Sequence, residues 1–255
     1  TGLMDSIDII IENENHTLGY LLQSYMEILH KNNIDFVAYD IYDTHMNYAE
    51  KFAWLTQQGY VVMSLDARGT PAPKGRDWRK ALYQNIGVVS SHDWGQAVRK
   101  LLAQHAWMDQ DRLAIWGWSG GGAMTLNMLF RHPGLFHAGM SVAPVTDISL
   151  YDTIYQERYC GDPREVPEVY KNCSPITFAK DLQDHLLLIH GTGDDNVHFQ
   201  NSERLFDELV AHNKMFEYLA YPSRSHSIYE GSGTRRHLYG SLADFLRRRM
   251  PAGRR

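Results

Sequence analysis

Six short runs of mostly apolar residues are the feature that most limits how this chain can fold. They lie at residues 36–43, 60–69, 112–118, 137–145, 185–192 and 216–222. Most of them are nearly continuous rather than alternating, which is typical of strands that are covered on both faces in a parallel sheet. Amphipathic segments of helix length separate them, so the sequence predicts a doubly wound α/β domain.

Local signals place four helices over residues 47–58, 90–105, 201–213 and 235–250. Gly59 is expected to end the first, and Ser90, three residues before Asp93, is typical of a capping start for the second. The first 30 residues differ, because a polar break at 13–15 divides two apolar arms. They predict an antiparallel hairpin at the sheet edge. No segment reads as a linker, so a single domain is expected over 1–255.

Composition limits the classes of partner. The chain has 255 residues, of which 44% are hydrophobic and 22% charged, and this favours a soluble globular protein with a large core. A net charge of −5 argues against binding to nucleic acid. No apolar run approaches the roughly 18 residues that would span a bilayer, and no signal-peptide pattern is visible. The sequence therefore leaves localisation open.

Metal and disulfide frameworks find little support in the sequence. Cys160 and Cys173 are the only cysteines, and their spacing fits neither a metal knuckle nor a disulfide-dense scaffold. Two buried thiols are the default expectation, and one disulfide bridge stays open. No metal-ligand spacing stands out, so we expect no cofactor.

A glycine-rich stretch, GWSGGG at 117–122, follows the third apolar run and precedes an amphipathic segment. A dinucleotide fingerprint would need a glycine where Ser119 stands, and a phosphate-binding P-loop would need a following Lys-Ser or Lys-Thr. The pattern Gly117-x-Ser119-x-Gly121 instead fits a nucleophile elbow, in which a strained serine joins a strand to a helix. Ser119 is the predicted nucleophile, and the Gly120 backbone N–H is a predicted oxyanion donor.

A serine hydroxyl attacks only when a base takes its proton and a carboxylate orients that base. On this scaffold the acid and then the histidine are expected in loops after later strands. Asp194 and Asp195 follow the fifth apolar run, and His226 follows the sixth. We predict His226 as the base rather than His190 or His198, which flank the acidic pair. Asp194 is favoured over Asp195 because it is the first residue beyond the turn.

Four segments carry a resemblance to a known family. They read AIWGWSGGG, APVTDISLYDTIYQERY, LLLIHGTGDDNVHFQ and VVMSLDARGTPAPKGRDWRKALYQNIGVV. They resemble the catalytic domain of the prolyl oligopeptidase family, in particular its dipeptidyl peptidase IV branch and bacterial relatives. The similarity covers roughly residues 36–250. It implies an α/β-hydrolase fold and a serine peptidase that favours cleavage after proline, and it assigns Ser119, Asp194 and His226 to the triad.

The resemblance also implies a substrate pocket. Flat aromatic faces suit a pyrrolidine ring, and tyrosines wall this pocket in the family. The matching substrate-binding positions are Tyr151, Tyr155, Asn196, Val145, Val197 and Trp118. Tyr42 matches a tyrosine whose hydroxyl is the second oxyanion donor. The family loop reads approximately Tyr-Gly-Gly-Pro, whereas Asp43 follows here, and a carboxylate facing the oxyanion would oppose catalysis.

Family enzymes also carry an N-terminal β-propeller, which these 255 residues do not contain. The resemblance implies a peptide substrate and a homodimer, and the relatives include periplasmic, secreted and membrane-anchored enzymes. Two other functions stay open. One is a broader carboxylesterase or acylaminoacyl-peptidase-like hydrolase, and the other is a catalytically silent α/β-hydrolase scaffold used for binding.

Overall fold

The computed structural model describes the backbone of residues 35–39 and all of residues 54–70 and 74–252. The predicted N-terminal hairpin and the Tyr42–Asp43 loop lie outside the described residues. Six strands are described: β1 Asp35–Tyr39, β2 Tyr60–Ser64, β3 Leu113–Trp118, β4 Ala138–Val142, β5 His185–Gly191 and β6 Glu217–Tyr221.

All neighbouring strands are parallel, and the sheet order is β2-β1-β3-β4-β5-β6. The described α-helices are α1 Gly75–Lys80, α2 Val88–Gln104, α3 Gly120–Arg131, α4 Thr153–Cys160, α5 Pro167–Cys173, α6 Gln200–Ala211 and α7 Thr234–Arg249. Short 3₁₀ helices cover Ile148–Leu150 and Pro175–Asp181. The alternation of apolar runs and amphipathic segments therefore predicted the architecture correctly.

The central strands are buried along their full length, which explains their continuous apolar sequences. Every residue of β3 and β4 is buried, because successive side chains point to opposite faces and both faces are covered. On one face, β3 packs with α2, α3 and α6 through residues such as Ile115, Trp94 and Leu205. On the other face, Trp116 packs with α7 residues that include Phe245. The sheet thus lies between two apolar layers.

The predicted capping start of the second helix is wrong. Helix α2 begins at Val88, after Gly87 in a left-handed conformation with φ of 75°, and so Ser90 and Asp93 both lie inside it. The Asp93 carboxylate instead accepts hydrogen bonds from Arg68 Nε at 2.8 Å and Nη2 at 2.6 Å. These bonds from Arg68 lower the pKa of Asp93. The Asp93 side chain therefore joins α2 to the loop after β2. The helix begins after Gly87, without a side-chain cap.

Other local predictions agree with the structure. Residues 54–57 are helical, and Gly59 follows them with a φ of 96°, which a glycine adopts at no steric cost. Cys160 and Cys173 are both buried free thiols, which resolves the alternative that the sequence left open.

The turn from β3 to α3 depends on close backbone packing. A Cβ atom at Gly117 would lie 2.2 Å from the carbonyl oxygen of Gly121, a distance that no real side chain tolerates. The strand and the helix approach each other this closely only because the residue at 117 has no side chain.

We expect Gly117→Ala to destabilise the protein by about 1–3 kcal/mol or more, because the added methyl group must push the helix away from the strand. Gly240→Ala is the matched control, since Gly240 lies in α7 with no atom within 4 Å of its added Cβ. That substitution should stabilise the helix by about 0.5–1 kcal/mol. Urea unfolding measures both values, and equal effects would contradict the packing argument.

Candidate active site

Ser119 occupies the turn between β3 and α3 in an unusual backbone conformation. Its φ is 60° and its ψ is −116°, a combination that costs a side-chain-bearing residue free energy. The surrounding hydrogen bonds impose it: the Ser119 N–H donates to the Val142 carbonyl at 2.8 Å, and the Ala123 N–H donates to the Ser119 carbonyl at 2.9 Å. The strained turn that the G-x-S-x-G pattern indicates is therefore present.

Gly120, the predicted oxyanion donor, is the first residue of α3. The first N–H groups of a helix have no partner within the helix, and they carry its positive dipole end. The Gly120 N–H is therefore suited to an anion that forms beside Ser119. Tyr42, the second predicted donor, lies outside the described residues.

Asp194 lies in the turn after β5 with its side chain completely buried. One carboxylate oxygen accepts hydrogen bonds from the backbone N–H groups of Asn196 at 3.0 Å and Val197 at 2.9 Å. The other oxygen lies 2.7 Å from His226 Nδ1 and 3.1 Å from His190 Nε2. Burial alone would raise the pKa of Asp194, but the hydrogen bonds from His190 and His226 outweigh burial and hold that pKa well below its usual range.

His226 is oriented by this carboxylate. Because a carboxylate only accepts hydrogen bonds, Nδ1 carries the proton and the lone pair of the neutral ring lies on Nε2. The Trp118 indole N–H donates to the His226 carbonyl at 3.0 Å, so the residue before Ser119 holds the main chain of His226. Among the described residues, no hydrogen bond joins the Ser119 hydroxyl to His226. The structure therefore pairs His226 with Asp194 directly, and Trp118, the residue before Ser119, holds the His226 main chain. Asp195 is exposed.

His190 has a position that the sequence did not indicate. It is completely buried, and its Nε2 lies 3.1 Å from the Asp194 carboxylate and 2.9 Å from the Val197 carbonyl. Both partners are acceptors, so Nε2 carries a proton, and the neutral ring then accepts from the Ser202 hydroxyl at 2.7 Å. Because His190 is completely buried and hydrogen-bonded within the protein, it presents no nitrogen to a substrate. Its burial in a strand four residues before an aspartate was the available signal, since a buried polar residue needs partners.

A cavity of about 200 Å³ opens beside Ser119. Three predicted substrate-binding residues line it: Val145, Tyr151 and Tyr155. The two tyrosine rings meet edge to face with centroids 5.5 Å apart. Ile148 also contributes to the wall. The cavity thus combines aromatic and aliphatic surface next to the predicted nucleophile.

The other predicted substrate-binding residues lie around the cavity rather than along its wall. Asn196 accepts a hydrogen bond from the Tyr151 hydroxyl at 3.1 Å and so fixes that ring. Val197 is completely buried in the apolar cluster that also contains Val145. Trp118 is buried behind the turn, where it holds His226.

Within residues 54–70 and 74–252, no group of three or more His, Cys, Asp and Glu side chains is placed to hold a metal ion. In the same part of the chain, no helix combines the length and apolar character needed to cross a bilayer.

Residues 46–252 match the family model described as the prolyl oligopeptidase family. The chain belongs to this family. The resemblance predicted from the sequence is therefore confirmed, and with it the α/β-hydrolase fold that this family has.

Comparison with individual relatives supports the same family assignment. The chain is 43% identical over 175 residues to a probable dipeptidyl-aminopeptidase B of Aspergillus terreus, covering 67% of this chain and 19% of that protein. It is 38% identical over 201 residues to the prolyl endopeptidase FAP of Mus musculus, covering 76% and 26%. The crystal structure of Porphyromonas gingivalis dipeptidyl peptidase 4 superposes with a TM-score of 0.80 at 37% identity, covering 86% of this chain and 32% of that one. The chain thus matches only a minor part of each relative's length.

Because folding lowers the pKa of Asp194, its ionised form contributes stability above the pKa of an unfolded aspartate, and this contribution is lost as the pH falls. We expect Asp194→Asn to lower the free energy of unfolding by about 1.5–3 kcal/mol at pH 7, with a difference from wild type that shrinks below about pH 4. Urea unfolding between pH 2.5 and 7 measures it. Asp195→Asn, at an exposed position, should change stability by less than about 0.5 kcal/mol throughout. A difference for Asp194→Asn that stays constant over this range would contradict the charge argument.

Proposed function

We propose that this chain is the catalytic domain of a serine peptidase that cleaves peptide bonds after proline, in the manner of a dipeptidyl peptidase. The observation that carries the proposal is the buried Asp194 carboxylate paired with His226 at 2.7 Å, at the same sheet edge as the strained Ser119 and its cavity. Membership of the prolyl oligopeptidase family supports the reaction class.

In the proposed mechanism, His226 Nε2 takes the Ser119 proton as Oγ attacks the substrate carbonyl carbon. Asp194 keeps the Nδ1–H tautomer in place and stabilises the imidazolium that forms. The tetrahedral intermediate collapses when His226 gives its proton to the leaving amine nitrogen, which leaves an acyl ester on Ser119. Water then attacks the ester with the same histidine as base, and Ser119 recovers its proton.

The oxyanion of the intermediate requires donors that are already oriented. The Gly120 N–H at the start of α3 supplies one. Tyr42 is the proposed second donor, by correspondence with the family. For catalysis the neighbouring Asp43 must point away from the oxyanion, because a second negative charge there would raise the barrier.

The substrate preference rests on the cavity wall. Tyr151 and Tyr155 offer aromatic faces at right angles, and Val145 adds aliphatic surface, a combination that suits the flat apolar ring of proline. Relatives named as dipeptidyl-aminopeptidase and prolyl endopeptidase differ in where they cut a peptide, and the first class supports our choice of a dipeptidyl product. Homodimer formation, which the resemblance implies, stays a prediction.

A fluorophosphonate probe tests the proposed triad, because it reacts with an activated serine. We expect wild-type protein to be labelled, Ser119→Ala to be unlabelled, and His226→Ala and Asp194→Asn to react more slowly by about 10⁴-fold. Asp195→Asn should change the rate by no more than about twofold. If Asp195→Asn slowed labelling more than Asp194→Asn, the acid assignment would be wrong.

Substrate comparison tests the reaction class. Hydrolysis of Gly-Pro-p-nitroanilide that depends on Ser119 supports the peptidase. Hydrolysis of a short nitrophenyl ester without amide turnover would instead favour the carboxylesterase alternative. Absence of labelling and of both activities would leave only the silent scaffold.

A further inference from the structure

His226 lies in a tight turn within the loop that joins β6 to α7. The Ile228 N–H donates to the Ser225 carbonyl at 3.1 Å, so these two residues close a four-residue turn with His226 at its second position. Ile228 has a φ of 43°, which is costly for a β-branched residue. Strain of this kind persists only where surrounding contacts hold it, so the turn that carries the proposed base depends on its supports.

The last residue of the turn is held by burial. Ile228 is completely buried, in the apolar cluster that also contains Phe245 of α7. The first residue, Ser225, is only half-buried and belongs to no apolar cluster among the described residues. The start of the turn therefore depends on polar contacts.

Glu230 supplies these contacts. Its carboxylate accepts hydrogen bonds from the Ser225 N–H, which lies 3.3 Å from each oxygen, and from the Ser225 hydroxyl. It also accepts from the Tyr229 N–H at 3.2 Å. The hydrogen bond from the Ser225 hydroxyl lowers the pKa of Glu230, so the carboxylate stays ionised at neutral pH. One side chain thus joins the residue before His226 to the segment that follows the turn.

The backbone of Glu230 is itself anchored. Arg224 Nε donates to the Glu230 carbonyl at 3.1 Å, and Arg224 Nη1 donates to the Pro222 carbonyl at 2.8 Å. The hydroxyl of Thr234, the first residue of α7, donates to the same Glu230 carbonyl at 2.6 Å. Glu230 is therefore fixed relative to the end of the strand and the start of the helix, and its carboxylate can act as a support for the turn.

We propose that Glu230 is a positioning residue for His226, because its carboxylate keeps the strained turn closed and so keeps the imidazole against Asp194. The catalytic part of this proposal rests on the proposed function, in which His226 is the base. Without the carboxylate, both donors of Ser225 turn to water, and the turn relaxes the positive φ at Ile228. The ring then leaves the position in which Nδ1 lies 2.7 Å from the Asp194 carboxylate.

Kinetics of Gly-Pro-p-nitroanilide hydrolysis by the full chain test the catalytic part. We expect Glu230→Ala to lower kcat by about 10- to 100-fold, as a displacement of about 1 Å does. KM should change by less than about twofold, because the cavity wall is untouched. Glu230→Gln keeps an acceptor oxygen for Ser225 and should restore kcat to within about threefold of wild type.

The matched control is Glu208→Ala. Glu208 also pairs with a histidine, His212, at 3.0 Å, but the pair is exposed at the end of α6. This substitution should leave kcat and KM unchanged. A Glu230→Ala variant with the kcat of wild type, or with a raised KM alone, overturns the proposal.

Proton NMR separates the positioning role from the proposed reaction, because it needs no turnover. The proton between His226 Nδ1 and the Asp194 carboxylate gives a resonance far downfield, which His226→Ala identifies by its loss. We expect the resonance in wild type, Glu230→Gln and Glu208→Ala, and its loss through exchange with water in Glu230→Ala. That pattern supports the role of Glu230 even if no amide is hydrolysed. Its absence from wild type, its persistence in Glu230→Ala or its loss in Glu230→Gln overturns the role.

Urea unfolding checks that each variant is folded under the conditions of both measurements. Should Glu230→Ala be unfolded there, Ser225→Ala takes its place, since it removes only the hydroxyl donor and keeps the N–H bonds to Glu230. This smaller change should lower kcat by about threefold and speed the exchange of the downfield proton. A wild-type exchange rate in Ser225→Ala overturns the proposal.

Discussion

The negative charge of Asp194 is the constraint around which this end of the sheet is organised. A carboxylate without solvent is costly unless each lone pair meets a donor, and here two backbone amides and two imidazoles surround it. The backbone amides fix the turn after β5, and His226 is fixed in turn by the carboxylate. The charge therefore stabilises the local backbone and determines which nitrogen of His226 keeps its lone pair.

The parallel sheet explains why these groups lie at the same edge. The carboxyl ends of parallel strands share one edge, so Ser119 after β3, Asp194 after β5 and His226 after β6 converge although they are distant in sequence. The turn at Ser119 also needs the strand and helix to be in backbone contact, which Gly117 permits. Architecture and site thus depend on the same few turns.

Sequence patterns were sufficient for features that depend on local composition. Continuous apolar runs predicted the buried strands, and the G-x-S-x-G spacing predicted the turn at Ser119. The predicted helix cap failed because Asp93 binds Arg68, 25 residues away in the sequence, instead of capping its own helix. The hydrogen bond from His190 to Asp194 was not predicted either.

The hydrogen bond from the Trp118 indole to the His226 carbonyl has a consequence for how the site would move. It anchors the main chain of the histidine, and the hydrogen bond to Asp194 anchors the ring at Nδ1. In the proposed mechanism, a loop held at both its main chain and its ring would pass a proton from Ser119 to the leaving nitrogen without a hinge in its backbone.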